Sequence, residues 1–167
     1  NWDLFQADFI VKIALILQDN QVYADGKGKQ YYLDYVVNQN SIRQWSLNKL
    51  IDFGFDQKAK TWYESPGYST TVLSTLCDFT NMLDEKAGID MFKQRPILID
   101  GVKASAEYLF PNRMIAGFGD THPGYLNQGG INNILKYATR HKNKRLIAEM
   151  NLFKSAVSSD APVSEIE

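Results

Sequence analysis

Apolar residues recur along this chain at helical spacing, segment after segment. In the first, Ile10, Ile13, Ala14 and Leu17 fall at i, i+3, i+4 and i+7, with Phe5, Phe9 and Ile16 widening the stripe, which predicts a well-buried helix over about Trp2 to Asp19. The run from Asn20 to Gly28 holds Asp25-Gly26 and Gly28 and reads as a turn. A second helix is predicted from about Lys29 to Asn38, with Tyr32, Leu33, Val36 and Val37 inward, and a third from Ile42 to Phe53, ended by Gly54. Trp45, on that third helix, is expected in the core.

A polar and aromatic loop, Asp56 to Gly67, precedes a fourth helix over about Ser69 to Glu85, where Val72, Leu73, Leu76, Phe79, Thr80 and Leu83 hold helical spacing. Ser69 or Thr70 suits its N-cap and Gly88 its C-cap. A fifth helix is expected from Met91 to Tyr108, with Pro96 in its first turns, where proline costs least, and Pro111 closing it. Arg113 to Phe118 reads as short and extended, and Gly119 to Tyr125 as a turn. Helices six, from about Leu126 to Arg140, and seven, from about Asn143 to Val157, follow before a polar tail from Ser158 to Glu167. The fold class is therefore all-α, with antiparallel helical hairpins and few or no strands; a toroid or a solenoid fragment both satisfy the pattern.

Composition narrows the partners. With 167 residues, 44% of them hydrophobic, the chain suits one globular unit able to bury roughly two-thirds of its surface. Its 18 basic and 19 acidic residues nearly cancel, so no global field favours nucleic acid or an anionic membrane, and an anionic substrate needs a local cluster. The single Cys77 excludes an internal disulfide and reads as a buried thiol. The most apolar run, Phe9 to Leu17, contains Lys12 and falls far short of the ~20 residues a bilayer span requires. No signal peptide is visible, and the chain opens on Asn directly at a helical pattern, as expected of a piece of something larger.

Two segments carry candidate chemistry. Trp62-Tyr63-Glu64-Ser65-Pro66-Gly67-Tyr68 places a carboxylate and a phenol four residues apart on a Pro-Gly bend before a helix. A tyrosine is an unusual base, since the reference pKa of a phenol is ~10. It serves when neighbours stabilise the phenolate or when an alkoxide must receive a proton; alternatively Tyr68 packs the start of the helix. Glu64 either binds ligand hydroxyls or satisfies backbone donors at the helix start. Trp62 and Trp2 are candidate sugar-stacking platforms.

The second segment is Gly117-Phe118-Gly119-Asp120-Thr121-His122-Pro123-Gly124-Tyr125-Leu126-Asn127. His122 lies in its turn, where loop positions often carry function, or merely caps it. Asp120 either binds ligand or orders its own turn. Arg113 is placed to grip a carboxylate bidentately or to sit exposed at a loop end. His141, in the basic run from Arg140 to Arg145, reads as part of a solvated helix junction. Two histidines and no Cys pair give no metal-ligand spacing, and neither a dinucleotide or phosphate loop nor a nucleophile elbow is present, so no cofactor is implied.

Glu64-Ser65-Pro66-Gly67-Tyr68 leading into a long helix resembles the helical domain of the heparinase II/III-like and alginate-lyase-like polysaccharide lyases. Asn1-Trp2 before the first helix resembles an Asn-Trp or Asn-His pair of that group, and Phe118-Gly119-Asp120 is similar to a Gly-Asp turn there. The resemblance spans about Asn1 to Leu152. It implies that residues 1–157 are the C-terminal portion of an incomplete (α/α) toroid, expected to be joined in the parent chain by upstream helices and a β-sheet domain, in a periplasmic or secreted protein. It also implies β-elimination on an acidic, uronic-acid-containing polysaccharide, with Tyr68 as catalytic tyrosine and Asn1 as the amide that neutralises the substrate carboxylate. Trp2 stands where some members have histidine, which leaves the base for the C5 proton open. Two other readings stand beside it: a glycoside hydrolase on a helical toroid, with Asp120 or Glu64 as acid, and a non-catalytic glycan-binding helical module.

Overall fold

The computed structural model describes residues 2–117, 119 and 121–158, with the backbone alone of Trp2. The chain is all-α: α1 (Trp2–Ala14), α2 (Lys29–Asn38), α3 (Leu47–Gly54), α4 (Pro66–Ala87), α5 (Met91–Gln94), α6 (Ile97–Ala104), α7 (Gly129–Arg140) and α8 (Lys144–Val157). One two-stranded antiparallel ribbon interrupts them, β1 (Met114–Ile115) with β2 (Gly124–Tyr125), in the register Met114 to Tyr125 and Ile115 to Gly124.

The long helix α4 is the spine. Its inward face, including Leu73, Leu76, Cys77, Phe79 and Leu83, is fully or almost fully buried. The flanking helix α7 runs parallel to it: Asn133 Nδ2 reaches Ser74 O, Asn81 Nδ2 donates to Asn133 O at 2.6 Å, and Arg140 reaches Asp84. The short connection 141–143 then turns the chain back into α8, an αα-hairpin of the expected kind.

Local chemistry explains where the observed elements differ from the predicted ones. The first helix ends at Ala14, giving way to turns and a short 3-10 segment, Asn20–Val22, and it is not buried along the expected stripe: Leu4, Ala7, Val11 and Ala14 face the core while Phe5, Phe9, Ile13 and, beyond the helix, Ile16 are exposed. Ser46 caps α3, its Oγ accepting from Lys49 N at 3.1 Å, so that helix begins at Leu47 and leaves Trp45 outside it and exposed. Proline is favoured at a first helical position. Accordingly α4 starts at Pro66, with Ser65 rather than Ser69 as its N-cap residue, and Tyr68 lies in its first turn. At the other end Gly88 adopts φ 68, the left-handed C-cap that glycine permits.

The long helix expected over Met91–Tyr108 is broken in two. Proline restricts the residue before it, and Arg95, at φ −130 and ψ 72, separates α5 from α6. Asn127 Oδ1 accepts from Gly129 N, and α7 begins there rather than at Leu126.

Candidate functional site

The N-terminal turn of α4 is held from three sides. Before it, Phe55 and Trp62 form an isolated bridge, and Tyr63 N donates to Gly54 O at 2.8 Å. Trp62 is 6% exposed, edge-on to Phe55, with Gly54 against its ring; it anchors the bend from inside and offers no sugar-stacking face. On the second side, Ser69 Oγ lies 3.4 Å from Tyr108 Oη. Tyr108 O in turn accepts from Ala116 N, and Leu109 bridges Ile115, so the β1–β2 ribbon is docked beside the turn. On the third side lies the first part of α1.

This arrangement brings the two singled-out segments together. A side chain at Gly67 would lie 3.1 Å from Thr121, and one at Gly119 3.4 Å from Ser65 Cβ. The bend that carries Glu64 and Tyr68 therefore packs directly on the ribbon loop that carries His122. Glu64, Tyr68 and His122 are all exposed. Tyr68 is 45% exposed and, with Leu4, Phe5, Thr71, Val72 and Thr75, lines a mostly apolar hollow of about 160 Å³ between α1 and α4. Tyr68 is thus at a surface, beside Leu4 and Phe5 of α1.

Arg113 occupies the turn before β1 at φ 65, a left-handed conformation uncommon for an arginine, and its Nε is buried without a hydrogen-bond partner. Asn1, Asp120 and the side chain of Trp2 lie outside the described residues. Sequence reasoning missed Tyr108, whose hydroxyl meets the turn that carries Tyr68. Its place before Leu109-Phe110-Pro111 was the available signal, obscured by the assumption of a continuous helix.

The opposite end of α4 holds a second polar cluster. Asp84, Asp90 and His141 present ligand atoms within 4.8 Å of one another. Protein donors already occupy them. Arg140 Nε and Nη2 reach Asp84 Oδ2 at 2.8 and 2.6 Å, His141 Nε2 lies 2.8 Å from the same oxygen, and Tyr137 Oη donates to Asp90 at 3.1 Å. Burial raises the Asp84 carboxyl, but the His141 and Arg140 hydrogen bonds outweigh it and hold the group below the ordinary carboxylate value. Burial and then Asp90 push the Tyr137 phenol up to about 12. The cluster ties α4 to α7. A cleft of about 340 Å³ between α2 and the end of α4, lined by Leu33, Asp34, Val37 and Ala87 among others, contains none of the candidate residues.

Tyr68 thus sits half-exposed in an apolar hollow, on a bend that packs against the loop carrying His122. Residues 58–160 match the family model described as the endo-acting ulvan lyase 2nd domain, well over half of the chain. The chain belongs to that family, and so to the polysaccharide lyases. The match contains both the Glu64–Tyr68 bend and the ribbon loop, whereas α1 to α3 precede it. No curated protein and no solved structure matches the chain.

Proposed function

We propose that this chain is part of an extracellular, endo-acting lyase that cleaves a uronic-acid-containing polysaccharide of the ulvan type by β-elimination, with Tyr68 transferring the proton. The observation that carries the reading is the Tyr68 phenol, exposed in the hollow beside Leu4 and Phe5 within a chain of an ulvan lyase family.

The chemistry sets the requirements. A base removes the C5 proton of the uronate, and the electron pair is held as an enolate on the substrate carboxyl group. Neutralising that carboxylate with a hydrogen-bond donor stabilises the enolate. In the second step the C4–O bond breaks, its electron pair leaves on oxygen, that oxygen takes a proton, and a C4=C5 double bond remains. Tyr68 returns the proton to the leaving oxygen and, with no histidine at position 2, also serves as the base. Asn1 supplies the amide to the substrate carboxylate; it directly precedes α1, whose Leu4 and Phe5 line the same hollow as Tyr68. Glu64 and His122 grip sugar hydroxyls, and Arg113 and Asp120 complete the polar lining. The heparinase II/III-like and alginate-lyase-like resemblance, with its toroid and its further β-sheet domain, belongs to this proposal.

The test is turnover of ulvan, alginate and heparan by the natural protein that carries this chain, followed by the ultraviolet absorbance of the unsaturated uronate. Tyr68→Phe is expected to lower turnover at least ~10²-fold, the scale for losing a general acid or base. Wild-type turnover in that variant refutes the role of Tyr68, and saturated products refute elimination in favour of hydrolysis.

A further inference from the structure

We propose that Trp45, Phe53 and Lys49 form a second binding subsite, an aromatic platform with its own cation that holds an anionic polysaccharide beside the Tyr68 hollow. The inference rests on the polysaccharide reading above and extends it to residues upstream of the family match.

Trp45 and Phe53 are 38% and 64% exposed, and their rings meet at 5.7 Å with a 58° tilt. The Lys49 ammonium lies 4.2 Å from the centre of the Trp45 ring and 5.8 Å from that of Phe53. Exposed aromatic faces stack on the C–H faces of sugar rings; Lys49 covers part of the Trp45 ring, so a sugar would use the ring surface it leaves open, with the ammonium at the side to meet an acidic substituent. Lys49 has no carboxylate within ion-pair distance among the described residues, whereas Asp52 on the same helix is taken by Arg95. Its charge is therefore available to an incoming anion, and exposed Arg43 adds a second positive charge nearby in the chain.

The platform is built before any ligand arrives. The buried Gln44 side-chain amide donates to Asp3 O at 2.9 Å and to Trp45 O at 3.0 Å, and Trp45 N donates to Asp3 Oδ2 at 3.4 Å. Fixing the backbone on both sides of the ring lowers the ordering cost of binding. The same contacts place it relative to the site. Asp3 holds Trp45, while Leu4 and Phe5, the next residues of α1, line the Tyr68 hollow. Successive helical residues point about 100° apart, so platform and hollow flank one helical turn from different sides. A long polysaccharide lying across that turn meets both. Two rings are too small for a protein partner, which needs roughly 800 Å² on each side.

The probes are ulvan, an anionic polysaccharide, and dextran, a neutral one, in affinity gel retardation with tryptophan emission followed in parallel. Trp45→Ala is expected to weaken retardation by ulvan about threefold to tenfold and to abolish most of the ulvan-induced emission change, while Trp45→Phe keeps part of the affinity. Lys49→Gln is expected to weaken ulvan binding about two- to fivefold, more at low salt, and to leave any dextran retardation unchanged. Circular dichroism of each variant reports retained folding. Unchanged ulvan retardation in both Trp45→Ala and Lys49→Gln overturns the subsite even if Tyr68→Phe abolishes turnover. Weakened retardation alongside wild-type turnover in Tyr68→Phe supports the subsite and removes only the catalytic assignment. A fall in oligomer mass on Trp45→Ala, with ulvan binding intact, makes the patch a self-association face and also overturns the proposal.

Discussion

Replacing Asp84 by asparagine removes one negative charge while keeping the side-chain shape, and the structure fixes what that charge supports. Asp84 Oδ2 is met by Arg140 Nε, Arg140 Nη2 and His141 Nε2, all within 2.8 Å, and the carboxyl-bearing side chain is 7% exposed. A hydrogen bond to a charged group contributes about 1.5–3 kcal/mol and a neutral one about 0.5–1.5, so each of the three loses about 1 kcal/mol. Arg140 and His141 are 31% and 39% exposed, and solvent screening reduces that sum to about 2 kcal/mol. For a chain of this size the corresponding fall in melting temperature is about 4–8 °C.

The pH dependence has a definite sign. The Asp84 carboxyl is held below its ordinary value in the folded state, so its contribution is full above the unfolded value of ~3.9 and is lost as pH falls through the folded value. Urea denaturation of wild type and Asp84→Asn at a series of pH values from 7 down to 3 measures it. The gap between the two should be constant from pH 7 to about 5 and close below that, because protonated wild type then resembles the variant. A gap under ~0.5 kcal/mol at pH 7, or one that does not narrow in acid, refutes the α4–α7 tie as described. Asp84 lies about 24 Å along α4 from Tyr68 at 1.5 Å per residue, so the turnover proposed for Tyr68 should be unaffected at low temperature.

Cys77 is fully buried, and burial pushes its thiol up to about 12, so a thiolate reagent should label it no faster than the chain unfolds; rapid labelling of native protein contradicts its place in the core. Gly54→Ala inserts a methyl group into the Trp62 ring and should cost about 1–3 kcal/mol by denaturant melt, with a red shift in tryptophan emission as Trp62 is displaced. A variant as stable as wild type means that the bend before α4 is looser than its packing implies.

Apolar periodicity and capping chemistry are local, and they were enough to predict the all-α class, the bounds of α2, the turn from α7 into α8 and the glycine that ends α4. Two aromatic, glycine-containing segments also stood out in the sequence as candidate chemistry, though nothing in the sequence placed them against each other. Long-range packing was not legible. Whether Trp45 or Trp62 faced solvent depended on where Ser46 capped α3 and on Gly54 leaving room for a ring, and the two tryptophans took the reverse of their expected places. Likewise, the contact of Gly67 with Thr121 and of Tyr108 with Ser69 joins residues about 40 to 54 positions apart, which no periodicity encodes. Sequence alone determined which helices form, because apolar periodicity and capping are local, but not always which face is covered: α1 buries Leu4, Ala7, Val11 and Ala14 and leaves Phe5, Phe9 and Ile13 exposed. Tertiary structure decided which side chains share the surface beside Tyr68, because that follows from the packing of elements distant in the chain.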